Sequence, residues 1–134
     1  MNRTPLEAAR ALHAALEAGV HGDALRAYFT EDASVVEHPN LLKPRGGNAN
    51  LERALAASTQ GAGLLSKQTY VVRDAVEHRD LAILRVTWTG ILARDLGPCR
   101  AGQGLTAHIA QFIRVRDGRV ASIETFDCYE PLSA

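Results

Sequence analysis

Ala107-His108-Ile109-Ala110-Gln111-Phe112-Ile113-Arg114-Val115, then Arg116-Asp117-Gly118-Arg119, then Val120 to Tyr129: this stretch decides the fold. Asp-Gly between two runs rich in β-branched and aromatic residues is a hairpin signal, because glycine accepts the positive φ that a tight turn requires. Two strands of this length supply the central ladder of a curved sheet, and the earlier chain reads as cover for one of its faces. The hairpin also carries His108, Gln111, Glu124 and Asp127, polar groups unusual for a core, which points to a pocket. Side chains alternate with period two, so Gln111 and His108 face opposite ways, and without a bulge only one of Glu124 and Asp127 faces inward.

Working outward, Lys67 to Glu77, Leu81 to Ala93 and Thr106 to Val115 read as strands, joined by His78-Arg79-Asp80 and by Asp95 to Gln103. Thr4-Pro5-Leu6-Glu7 starts a helix: Thr4 caps, Pro5 suits the first position and Glu7 completes a capping box. Its stripe is Leu6, Ala9, Leu12, Leu16 and Val20, with His13 at the edge. Asp23 caps a short second helix, Ala24 to Phe29. Ala33 to His38 is a strand stopped by Pro39. A loop, Asn40 to Gly47, leads to a third helix from Asn48 or Asn50 to about Gln60. A doubly wound parallel sheet needs a helix between successive strands, so this order excludes it. The expectation is a single α+β domain over residues 1–134: a cone-shaped, mostly antiparallel sheet with three N-terminal helices over its concave face. The mouth of such a cone suits a small molecule.

The chain has 134 residues, 46% of them hydrophobic and 22% charged, and its formal net charge is zero. That balance predicts neither a nucleic-acid nor a membrane partner. No apolar run approaches the roughly 18 residues of a membrane span and no leader pattern opens the chain, so a cytoplasmic protein is expected. Cys99 and Cys128 stand apart and are expected as reduced thiols. Neutrality weakly favours association and hence a homodimer; that it forms through the sheet is an expectation from analogy of fold. His13, His21, His38, His78 and His108 are scattered without ligand spacing, so no metal is expected. The glycines of Arg45-Gly46-Gly47 and Gly102-Gln103-Gly104 lack the strand-to-helix context of a phosphate loop, and no cofactor is expected.

Tyr28-Phe29-Thr30-Glu31-Asp32-Ala33-Ser34-Val35-Val36-Glu37-His38-Pro39 resembles the opening run of the nuclear-transport-factor-2-like (cystatin-like) superfamily. That superfamily includes ketosteroid isomerase, limonene epoxide hydrolase and the SnoaL-like polyketide cyclases. Arg116 to Val120 and Glu124 to Pro131 resemble the terminal hairpin of the SnoaL-like branch. The resemblance implies the cone fold and a small-molecule pocket. It aligns His38 with the general base of ketosteroid isomerase, Gln111 with its protonated oxyanion-hole Asp, and Ala15 with its helix tyrosine, so that mechanism is not carried over. Arg114 and Asp127 approximate part of the epoxide hydrolase set. Asp127 lies near the acid/base Asp of the polyketide cyclases.

Two catalytic candidates follow. An imidazole exchanges protons near neutral pH, and His38 sits at a strand end before a loop, though a solvated loop histidine is the plain alternative. Asp127, in an apolar strand, can have a raised pKa, or it can be a surface or interface acid. Candidate substrate-binding residues are Gln111, to polarise a carbonyl oxygen, Trp88 and Tyr28, as aromatic walls, and Glu37, beside His38. The expected activity is a cofactor-free isomerase, cyclase or lyase acting by proton transfer on a small apolar carbonyl compound. A non-catalytic ligand-binding or dimeric scaffold protein of the same fold is the rival.

Overall fold

A computed structural model of the chain describes residues 2–132. Its elements run α1 (Pro5–Glu17), a 3₁₀ helix (Gly22–Tyr28), β1 (Phe29–Glu37), β2 (Gly47–Asn50), α2 (Leu51–Gly61), β3 (Leu65–His78), β4 (Leu81–Leu92), β5 (Gly104–Arg116) and β6 (Arg119–Tyr129). The strands form one six-stranded sheet in the order β2-β1-β6-β5-β4-β3. Every neighbouring pair is antiparallel except β1 and β6, which run parallel. The architecture is α+β, as the order of patterns predicts.

Local chemistry explains most boundaries. The Thr4 hydroxyl accepts from the Glu7 N–H while the Glu7 carboxylate accepts from the Thr4 N–H, the reciprocal box that starts α1. Asp117 and Gly118 take φ of 54° and 75°, the pair of left-handed values that a two-residue hairpin turn demands. Asn50 caps α2 by accepting from the Arg53 N–H.

Three expectations are corrected. α1 ends at Glu17 rather than Val20, because its C-cap Ala18 is followed by Gly19 at φ 83°. The short second helix is 3₁₀ and spans Gly22–Tyr28 rather than Ala24 to Phe29. Asp23 lies inside it and does not cap it, the N-cap being His21; the helix starts at a left-handed Gly22 and is tied by Arg26 to Asp23 at three-residue spacing. The stretch expected to end the loop and begin the third helix is strand β2, and of the two expected starts the helix takes Asn50. Gly47-Asn48-Ala49-Asn50 has poor strand propensity, and pairing with β1 (Glu37↔Gly47 to Ser34↔Asn50) recruits it.

Alternation sorts the sheet into two faces. On β4, Ala82, Leu84, Val86 and Trp88 are buried, and their partners Ile113, Gln111, Ile109 and Ala107 lie on the same side. α1 packs onto this face through Ala8, Ala9, Leu12 and Ala15, whose small side chains allow close approach, and α2 packs on β1 and the 3₁₀ helix through Leu51 and Leu55. Phe112 and Phe126 stand on the other face, exposed. Bulges interrupt β3 between Val72 and Asp74 and the β5–β6 pair between Arg114 and Val115, which bends the strands locally.

Candidate functional site

The helix-covered face carries a polar cluster. His13, on the buried side of α1, is only 5% exposed. Its Nε2–H donates to Oε1 of Gln111 at 2.9 Å, and its ring stacks on Tyr70 with centroids 4.4 Å apart and planes 12° off parallel. Among the described residues Nδ1 has no hydrogen-bond partner. Burial pulls the imidazole pKa below its ordinary value, and the Gln111 bond only partly opposes this, so the ring stays neutral.

Sheet register assembles the rest. Tyr70 stands opposite Trp88, Trp88 opposite Ala107, and Ala107 opposite Tyr129. Gln111 stands opposite Thr125, which is also beside Glu37 on β1. Directly paired residues share a face, so Tyr70, Trp88, Gln111, Thr125, Tyr129 and Glu37 belong to one surface with Asp127. The Trp88 edge meets Tyr129 (6.1 Å, 80°), and its indole N–H donates to Gln68, whose amide donates to the Leu16 carbonyl of α1. These contacts hold the aromatic wall in place.

Asp127 is the titratable centre of that surface. The Thr125 hydroxyl donates to its Oδ1 at 2.6 Å. Burial raises its pKa above the usual carboxylate value; the Thr125 bond opposes the rise and the Glu37 charge adds to it. Burial, then the Asp127 and Glu37 charges, push the Tyr129 phenol up; Tyr70 is raised by burial, then by Asp127, Tyr129 and Glu17. The result is a carboxyl whose protonated form burial favours, beside phenols that stay protonated and can donate a hydrogen bond. Among the described residues, no group of three or more His, Cys, Asp or Glu side chains is placed to hold a metal ion, and no helix is long and apolar enough to cross a membrane.

The expected meeting of His38 with Asp127 does not occur. The His38 ring bonds Glu124 (Nε2 to Oε2, 2.7 Å) and stacks on Phe126 at 4.2 Å. Glu124 and Phe126 alternate with Thr125 and Asp127 along β6, so the imidazole is on the outer face and the carboxylate on the inner. The inward position at the end of β1 belongs to Glu37, whose Oε2 accepts from Asn40. Gln111 and Trp88 do lie on the Asp127 face. Tyr28 does not join them; it lies under the Arg3 guanidinium (5.8 Å). Its neighbour Phe29 pairs with Val120, seven residues along β6 from Asp127, and at a strand's rise that is roughly 20 Å away. His13, Tyr70, Tyr129 and Thr125 escape the sequence reading as site residues. His13 had a signal, since a histidine bordering an apolar helical stripe must find a partner when buried.

The fold and the cluster can now be set beside known proteins. The SnoaL-like domain model matches residues 9–123. The chain belongs to the SnoaL-like family. No curated protein matches it in sequence. Among solved structures, this SnoaL-like chain superposes on IdmH of Streptomyces antibioticus, described as a candidate polyketide cyclase, with a TM-score of 0.74 and 23% identity over 93% of this chain and 92% of that one. A ketosteroid isomerase-like protein of Catenulispora acidiphila, in complex with trimethylamine, gives 0.70 and 18% identity over 92% and 86%. A SnoaL-like protein of Jannaschia sp., also described as a candidate polyketide cyclase, gives 0.69 and 19% over 95% and 90%. At these identities the likeness is one of fold.

Proposed function

We propose that the helix-covered face, taken as the concave side of a single SnoaL-like domain, is the active site of a cofactor-free isomerase, cyclase or lyase. It would move protons on a small, largely apolar carbonyl compound. The observation that carries this is Asp127: a half-buried carboxyl with a raised pKa, held by Thr125 and ringed by protonated phenols. A base of that kind removes an α-proton and returns it elsewhere, and efficiency is greatest when its pKa approaches the working pH. Gln111 has its Oε1 occupied by His13, which leaves its amide N–H groups as donors for a carbonyl oxygen as negative charge develops there. Trp88 and Tyr129 supply the apolar wall. Tetrahedral or enolate charge would be met by neutral donors, a task that needs no cofactor. The fold shared with candidate polyketide cyclases supports the reaction class.

The test is proton exchange. A panel of cyclic and polycyclic 1,3-dicarbonyl compounds is incubated with the protein in D₂O and followed by NMR. The native chain is expected to accelerate α-proton exchange in at least one of them, and Asp127→Asn to lose about 10²–10⁴-fold of that rate. Exchange undiminished in Asp127→Asn would refute the assignment.

A further inference from the structure

A crevice of about 460 Å³ lies between the β1–β2 pair and α2, walled on its apolar side by Val35, Ala54 and Ala57. Glu37 links it to the Asp127 cluster: it lines the crevice and stands beside Thr125 on the Asp127 face. That volume is in the range of small-molecule sites. Lys43 and Arg53 line the same crevice. The Lys43 ammonium is 3.7 Å from one Glu37 oxygen, and Asn40 donates to the other, so Glu37 is already engaged. Among the described residues, no carboxylate comes within ion-pair range of Arg53. The crevice therefore holds two cations against one anion.

Lys43 runs along Gly47: a Cβ at residue 47 would stand 2.9 Å from Lys43 Nζ and 3.2 Å from its Cε, contacts that the flexible end of the lysine relieves by shifting. Charge also sets polarity along the hollow. Glu37 and Asp127 repel an anion from the inner end, while Lys43 and Arg53 attract one at the outer end.

We propose that this crevice is the anion-binding half of the substrate site. It takes the carboxylate of an apolar-bodied organic acid between Lys43 and Arg53, with the body over Val35, Ala54 and Ala57 and the neutral carbonyl end directed to Asp127. This rests on the function proposed above and names its substrate class: carbonyl compounds that also carry a carboxylate, that is, oxo acids. Both cations are exposed, so each contributes modestly.

Calorimetric titration of the full chain with three probes of one shape tests it: 2-naphthoate, 2-naphthamide and 2-naphthylmethylamine. Naphthoate is expected to bind about tenfold tighter than the amide, and the amine most weakly. Arg53→Gln and Lys43→Gln should each weaken naphthoate about threefold to fivefold and leave the amide within about twofold. Amide binding serves as the check on folding. Equal binding of acid and amide, no binding of any probe at about 1 mM, or a preference for the acid that survives both substitutions overturns the proposal. Asp127→Asn should keep the preference for naphthoate. A chain that prefers the acid yet exchanges no proton on any dicarbonyl or oxo acid retains the subsite and loses the reaction, so the two ideas fail separately.

Discussion

Gln111→Leu removes the one hydrogen-bond partner that the buried His13 imidazole has among the described residues. His13 is 5% exposed and its Nδ1 is already unpartnered, so the variant leaves both ring nitrogens without a hydrogen bond. That costs about 1–3 kcal/mol, and the similar volume of leucine keeps any cavity term small. His13→Leu forfeits the Tyr70 stack and strands a half-buried amide, about 1–2 kcal/mol. In the double variant both polar demands vanish, so its loss should fall short of the sum by about 1–2 kcal/mol. Unfolding entropy for 134 residues is about 0.28 kcal/mol/K, so 2 kcal/mol is about 7 °C in Tm. Urea titration followed by the fluorescence of Trp88, the one tryptophan, gives all four corners of the cycle. An unchanged m-value confirms that stability alone has moved. A pH arm sharpens the test. The folded imidazole titrates below its ordinary 6.5, so the unfolded chain binds more protons beneath that value. The native chain should therefore hold its stability above pH 6.5 and lose it as pH falls towards the folded pKa, a slope that His13→Leu removes. Additivity of the two substitutions within about 0.5 kcal/mol would refute the pairing.

Four further outcomes follow. The folded Asp127 carboxyl titrates above 3.8, so ionising it costs the native state stability as pH rises from there through its folded pKa; Asp127→Asn should be the more stable protein at neutral pH while losing exchange activity, as Tm against pH would show. His38→Ala breaks an outer-face pair whose side chains are 38% and 49% exposed; it should cost no more than about 1 kcal/mol in urea and change the exchange rate by less than about twofold. Ellman's reagent should modify Cys128 promptly in Phe126→Glu, where the outer face is uncovered, and reach the fully buried Cys99 only after unfolding. Light scattering should give twice 14.4 kDa, from a homodimer through the face bearing Phe112 and Phe126, with Phe126→Glu returning the monomer; a 14.4 kDa species at every concentration would refute that interface.

The sheet's four long strands and both α-helices were legible because each carries a periodic signal with chemical punctuation at its ends. The β5–β6 turn and the Thr4–Glu7 box are local chemistry, readable within four residues. β2 was not legible, since Gly47-Asn48-Ala49-Asn50 has no strand character of its own and is ordered by β1. At the site, parity correctly separated Asp127 from Glu124. It also separates His38 from Asp127, but only once the register of β1 against β6 is known: Glu37↔Thr125 turns Glu37 inward and leaves His38 outside. His13 and Tyr70 meet across 57 positions of chain, by docking of α1 on β3, and no local pattern encodes such a contact.

The parallel partnership of β1 with β6 has a cost in time. Val35 waits for Ile123, 88 positions later, so on the ribosome β1 leans on β2, α2 and the 3₁₀ helix until β6 has been made. Contacts this distant are slow to close, and until then one flank of the early strand offers unpaired amides to any neighbouring nascent chain.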